Sequence, residues 1–253
     1  MALIRLERRG SLAVLRLDKA RGNAIDEPLV LELRAALVEL KADAGVAGVL
    51  LASGHAKLFS PGLDLVGLYE YDRPGMERFM LRFADMVGAL FALPKPLVAA
   101  VSGHALAGGC ILAMTADWRV LARGAQIGLN EVKVGVPLPW SAATLLRATS
   151  APAALSRIAL LGRNFAADEA VAAGLADEVA DPEGFEESCL ARLAEFAEKD
   201  AYAFARTKAY LRGDVLRAMR ARERELLGEW LDAWFSPSTR ARVRKAVEAL
   251  AKR

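Results

Sequence analysis

The chain has 253 residues, 54% of them hydrophobic and 26% charged, a composition that fills a core and excludes intrinsic disorder. Lys and Arg total 34 against 31 Asp and Glu, and a formal charge of +3 gives no strong pull toward nucleic acid. Two cysteines, Cys110 and Cys189, and two histidines, His55 and His104, make neither a disulfide framework nor a zinc pattern, and no apolar run is long enough for a membrane span.

The N-terminal MALIRLERRG breaks its apolar residues with charges, which predicts no signal or transit peptide and a cytoplasmic protein with reduced thiols. Residues 3–9 and 11–17 alternate apolar and polar about Gly10 and predict a hairpin. Asp26 caps a helix over 27–42 with Pro28 near its start, and VAGVLLA at 46–52 has the length of a strand. A loop with glycines, GHAKLFSPGLDL, follows at 54–65. A helix at 75–91 stops at Leu93-Pro94-Lys95-Pro96, and LVAAV at 97–101 is a buried strand. Gly108 opens a helix to Met114, and residues 117–121 form a strand. Residues 139–149 and 152–161 are helical, 164–174 is a short helix with Asp168 as cap and Gly174 as stop, and Val179 lies on a last strand. From about 184 the pattern is helical, at 184–198, 200–212, 214–233 and 237–250, with Ser236-Pro237 as a cap and first-turn pair. The apolar surface of 214–235, with Trp230, Trp234 and Phe235, requires cover from the chain's own core or from another subunit. The basic residues interleaved there with Glu223 and Glu225 read as a solvated face. These units fit an α/β or α+β fold, with no GxGxxG after the first strand.

Few residues can carry chemistry. In SGHALAGGC the Gly108-Gly109 pair stands before a helix, where amide groups lack partners, although glycine there also serves tight packing. FSPGLDL is a turn in which Leu63 presents its N–H after Gly62, or an ordinary surface turn. In QIGLNEVKVGV, Glu131 is set among apolar residues that would raise its pKa and make it a base for carbon acids; the bland alternative is a surface pair with Lys133. Asn130 beside it can orient substrate. Asp117 reads as a structural acceptor, His104 as a packed neutral ring or a pocket liner, and Cys110 as core; no serine lies in G-x-S-x-G.

Together RGNAIDEPLVLEL, FSPGLDL, SGHALAGGCILAMTADWRVLA, IGLNE and the DEA to Gly174-Leu175 stretch resemble the crotonase superfamily, the enoyl-CoA hydratase/isomerase family, over nearly the whole chain. The resemblance implies an α/β spiral of ββα units over 1–190 and a C-terminal helical trimerisation region over 191–253, assembled as a homotrimer or a dimer of trimers. It implies an acyl-CoA substrate, no metal or redox cofactor, no nucleic acid and no membrane. It places the two oxyanion donors on Leu63 and Gly108, and the CoA moiety over Ala24 and residues 60–64, that is Ser60, Pro61, Gly62, Leu63 and Asp64. Lys57, and more weakly Lys95, would meet phosphates. The acyl tail would meet Leu68, Ile111, Val134, Pro137, Leu138 and Trp140. Hydratases of the family use two glutamates. The first falls on Ile111 here and the second on Glu131, so one is lost. The single-glutamate pattern is similar to that of mitochondrial-type Δ3,Δ2-enoyl-CoA isomerases, which implies proton transfer from C2 to C4 of a 3-enoyl thioester with Glu131 as the base. The rivals are another activity of the family, hydration foremost, and a non-catalytic CoA-binding scaffold.

Overall fold

In a computed structural model, which describes residues 2–251, the elements run in order β1 (Ile4–Arg9), β2 (Leu12–Leu17), the one-turn α1 (Ala20–Asn23), α2 (Glu27–Ala42), β3 (Gly48–Ser53), β4 (Leu58–Ser60), α3 (Leu65–Leu68), α4 (Arg73–Phe91), β5 (Leu97–Val101), β6 (His104–Leu106) and α5 (Gly108–Met114). They continue with β7 (Trp118–Ala122), β8 (Gln126–Gly128), α6 (Glu131–Val134), α7 (Trp140–Thr149), β9 (Asn164–Ala166), α8 (Ala167–Ala172), β10 (Glu178–Ala180), α9 (Phe185–Ala197), α10 (Ala201–Phe235) and α11 (Pro237–Ala251).

Two sheets are wound together. The larger has the order β1-β2-β3-β5-β7-β10, antiparallel only at the β1–β2 hairpin, and the smaller has β4-β6-β8-β9, antiparallel only at β8–β9. Each turn of the chain gives one strand to the large sheet, one to the small, and then a helix: β3, β4, α3–α4; β5, β6, α5; β7, β8, α6–α7. This is the ββα spiral that the resemblance implies. β3 and β5 are buried along their whole length, as parallel strands covered on both faces must be. The edge strand β1 carries Arg5, Glu7, Arg8 and Arg9, which discourage further pairing.

Local chemistry sets the helix starts. Asp26 accepts the Leu29 N–H at 3.1 Å, Asp72 the Gly75 N–H at 2.8 Å and Asp200 the Ala203 N–H at 2.7 Å. Ser236 Oγ accepts the Thr239 N–H at 3.3 Å.

Several expectations are corrected. The 164–174 stretch begins as strand β9, and Asp168 sits in the first turn of α8 without capping it, while Gly174, at φ +71, does end the helix. The 152–161 stretch is helical as expected, as a 3-10 turn, Pro152–Ala154, followed by a π-helix, Ser156–Leu160. The expected break near 213 is absent: α10 runs unbroken for 35 residues, its length set by packing on α4 and α7 rather than by the weak propensity of Gly213. Asp117 anchors α10 to the core. It accepts the Leu97 N–H at 2.8 Å and pairs with Lys208 at 2.6 Å and Arg212 at 2.8 Å, while Arg212 also donates to the carbonyls of Phe91, Thr115 and Ala116. Burial pulls the Lys208 amine down to about 8, against the opposing pull of Asp117.

Candidate active site

Three equivalent loops meet because three equivalent strands are neighbours. β4, β6 and β8 lie side by side and parallel, and the chain leaves each at the same edge of the small sheet. Leu63, Gly108 and Glu131 stand two or three residues beyond the ends of these strands. Crevices at the carboxyl ends of parallel strands are where such sheets hold ligands.

The first loop is fixed by a single bridge between Ile25 and Leu63. Ile25 N–H donates to Gly62 O, and Asp64 N–H donates to Ile25 O, each at 2.8 Å. The bridge therefore consumes the groups on either side of Leu63 and leaves Leu63 N–H out of it. Gly62 adopts φ +100, and a Cβ there would stand 2.8 Å from Ala107 Cβ and 3.0 Å from Gly108 N. Only glycine lets the two loops approach this closely.

The second loop turns on Ala107, whose φ of 48 and ψ of −120 are rare for an L-residue. Its N–H is held by Gly128 O at 2.9 Å and its carbonyl accepts Ile111 N–H at 3.0 Å. This rotates the next peptide so that Gly108 N–H, at the first helical position, has no intrahelical acceptor. A Cβ on Gly109 would lie 2.2 Å from Ser60 O, so Gly109 permits contact between the loops.

The third loop supplies the carboxylate. Glu131 starts α6, and its Oε2 is buried with no hydrogen-bond partner among the described residues. Burial pushes its carboxyl up to about 7; the main-chain amides of Glu131 and Asn130 pull the other way without cancelling the shift. Among the described residues no ion pair joins it to Lys133, so the surface-pair alternative is set aside.

These groups share a cavity of about 190 Å³ lined by Pro61, Leu63, Gly108, Ile111, Asn130 and Glu131 on the sheet side. Met80 and Phe83 of α4 and Trp230 and Trp234 of α10 close the other side. The two indoles stack at 5.4 Å and 12°. The Trp230–Trp234 pair therefore covers the chain's own cleft, one of the two kinds of cover expected for this apolar surface. Met80 and Phe83 were missed because their helical spacing marks core and cleft wall alike, and Leu65 because it ends the expected loop.

The other expected residues fall around or outside the cavity. Ser60 is fully buried; its Oγ donates to Asn23 O at 2.8 Å and accepts Gly62 N–H at 3.2 Å. Asp64 caps α3 and pairs with Lys19 at 3.1 Å, and Ala24 O accepts from Lys19 Nζ at 2.6 Å. Ile111 and Val134 line the cavity, but Leu68 is core. Pro137, Leu138 and Trp140 line an adjoining cavity of about 100 Å³ with Glu223 and Glu229, which shares only Pro139 and Trp230 with the first. Lys57 precedes β4, so it stands at the end of that strand opposite to Leu63, and Lys95 is bound to Asp43 O at 2.5 Å. His104 Nδ1 accepts Gln126 N–H at 3.1 Å, a contact between β6 and β8, and Cys110 is buried in α5 with its thiol pushed up by burial.

The chain is similar to several known proteins. The family model for enoyl-CoA hydratase/isomerase matches residues 7–245. A probable enoyl-CoA hydratase of Mycobacterium avium is 34% identical over 203 residues, 80% of this chain and 78% of that protein. A putative enoyl-CoA hydratase of Thermus thermophilus is 36% identical over 207 residues, covering 80% and 81%. The crystal structure of human mitochondrial delta3-delta2-enoyl-CoA isomerase superposes with a TM-score of 0.94 at 25% identity, over 99% of this chain and 98% of that one. The chain belongs to the enoyl-CoA hydratase/isomerase family, the crotonase superfamily.

Proposed function

We propose that the protein is a Δ3,Δ2-enoyl-CoA isomerase that converts 3-enoyl-CoA to 2-trans-enoyl-CoA. The observation that carries this reading is a carboxylate whose Oε2 is buried and unpartnered among the described residues, Glu131, in one cavity with Leu63, Gly108 and the apolar Ile111. The thioester oxygen accepts from Leu63 N–H and Gly108 N–H. Glu131, as carboxylate, takes a proton from C2; the C2–H electrons pass into a dienolate, whose oxygen gains most of the negative charge. Donors aimed at such an oxygen are worth about 10²–10³-fold in rate each. The protonated Glu131 then returns the proton to C4, the double bond settles between C2 and C3, and the carboxylate is restored. The proton count closes on Glu131 alone, and the steps use neither metal nor redox cofactor. In the same reading the CoA portion lies over Ala24 and residues 60–64, and the chains assemble as a homotrimer or a dimer of trimers.

A second reading, 2-enoyl-CoA hydratase or another acyl-CoA lyase or isomerase of the family, is favoured by the sequence relatives, which are named hydratases. Turnover of 3-enoyl-CoA and 2-enoyl-CoA panels, with and without Glu131→Gln, separates the two. The isomerase reading expects 2-enoyl product and its loss in the variant. Formation of 3-hydroxyacyl-CoA at a comparable rate sinks it in favour of hydration.

A further inference from the structure

The turn that precedes the first loop is strained and heavily tied down. Arg21, Gly22 and Asn23 have φ of 59, 70 and 65, three left-handed residues in succession, two of them not glycine. Such a run persists only where its surroundings over-determine it. Those surroundings centre on Asn23, which is 0% exposed. Its Oδ1 accepts Lys19 N–H at 2.9 Å, and its Nδ2 donates to Ser53 Oγ at 2.9 Å and Phe59 O at 3.0 Å. Its main-chain N–H donates to Lys19 O at 3.1 Å. One side chain thus joins the end of β3, the middle of β4 and the left-handed turn.

Two short paths run from Asn23 to Leu63. Along one, Asn23 O accepts from Ser60 Oγ, and the same hydroxyl accepts Gly62 N–H, in the peptide just before Leu63. Along the other, Ile25, two residues on, bonds to both Gly62 O and Asp64 N–H and brackets Leu63. Lys19 reinforces the second path, since its Nζ contacts Ala24 O, Asp64 at 3.1 Å and Asp26 at 2.9 Å.

We infer that Asn23 is a positioning residue for the Leu63 amide: its side chain holds the left-handed turn against β3 and β4 and so sets the direction of Leu63 N–H toward the thioester oxygen. This rests on the reading of Leu63 and Gly108 as oxyanion donors, and it is independent of whether the bound enoyl thioester is isomerised or hydrated.

The test uses the full-length protein, saturated butanoyl-CoA labelled with ¹³C at the thioester carbonyl, and infrared difference spectroscopy. Asn23→Gly keeps the left-handed backbone accessible while removing the side-chain bonds. Ser60→Ala removes only the hydroxyl between Asn23 O and Gly62 N–H, and it carries the test if Asn23→Gly does not fold. In the wild type the bound carbonyl band lies below its frequency in water. The variants are expected to retain the probe with a smaller displacement, and kcat on enoyl-CoA falls about 10²-fold with KM little changed, as for a misdirected donor. A role in folding alone would lower the unfolding midpoint but leave the displacement and the kcat per folded chain at wild-type values, and that result overturns the inference. If the wild-type protein binds the probe with no displacement, the two-amide clamp fails and takes this inference with it. If the wild type shows the displacement but does not isomerise, only the reaction assignment fails, and the variants' spectra still decide the role of Asn23.

Discussion

Replacing Glu131 with Gln separates the energetic consequence of burying this carboxyl from its chemical use. Burial lifts its pKa from an ordinary 4.5 to about 7, a gap that corresponds to about 3 kcal/mol between folded and unfolded chains. Below pH 4.5 the group is protonated in both states, so its contribution to stability is fully present. As pH rises from 4.5 toward 7 the unfolded chain releases the proton while the folded chain keeps it, and stability falls; the loss is complete above the folded value. Gln cannot ionise. The stability of Glu131→Gln relative to wild type is therefore expected to grow by about 3 kcal/mol between pH 4.5 and about pH 8, read from denaturant unfolding at matched protein concentration. Near pH 8, where Glu131 is ionised, turnover of the variant is expected about 10²–10⁴-fold below wild type, and the wild-type kcat/KM loses about tenfold per unit below a midpoint near 7. A stability difference that is flat with pH refutes the buried neutral carboxyl. Near-wild-type turnover in the variant refutes Glu131 as the base.

Gly109→Ala places a methyl group 2.2 Å from Ser60 O and must part the two donor loops, so kcat is expected to fall about 10²-fold; Gly88→Ala in α4, where a Cβ meets nothing within 4 Å, is the control, with unchanged kcat and up to about 1 kcal/mol of added stability in denaturant unfolding. Trp230→Ala joins the cavities of about 190 and 100 Å³, and kcat/KM measured over a series of acyl-CoAs should shift toward longer chains by about fourfold for each further methylene that is buried. Asp117→Ala leaves Lys208 and Arg212 buried without their counter-charge and should lower unfolding stability by about 3–5 kcal/mol, part of which Lys208→Met restores, with turnover per folded chain unaltered.

What was legible in the sequence follows from how local each signal is. The hairpin about Gly10, the Asp26-capped helix and the start of α5 at Gly108 depend on neighbouring residues, and each was read from patterning or turn chemistry. β4, β6 and β8 have three residues apiece, too few to show an alternation. They exist because each pairs with a neighbouring turn of the spiral, and so the small sheet that gathers the three loops was not visible. Glu131 was found from its apolar neighbours, but its orphaned Oε2 depends on α4 and α10, remote in sequence. Asn23 gave no signal at all, since a buried Asn and a surface-turn Asn look alike in RGNA, and only its bonds to Ser53 and Phe59 separate them.

The choice between isomerisation and hydration turns on where water can be held. A water poised for addition needs two to four polar partners. In the proposed clamp the two amides go to the thioester oxygen in either reaction, which leaves the side chains of Glu131 and Asn130 among the polar lining. Ile111, 2% exposed, stands where resemblance to the family's hydratases would put a second carboxylate. Around them Leu65, Met80, Phe83, Val134 and the paired indoles offer no further acceptor, and the indole N–H groups of Trp230 and Trp234 are themselves buried without partners among the described residues. Ile111 thus supplies no second carboxylate to anchor an attacking water, and the same apolar lining holds the Glu131 carboxyl near 7. Such a lining suits the proposed reaction, in which the proton taken from C2 stays on Glu131 until C4 receives it, because a carboxyl titrating near neutrality holds a proton more firmly than one with an ordinary pKa. The sequence relatives are named hydratases, whereas an apolar Ile111 in the cavity supports the proposed isomerisation, and both readings are chemistries of one family.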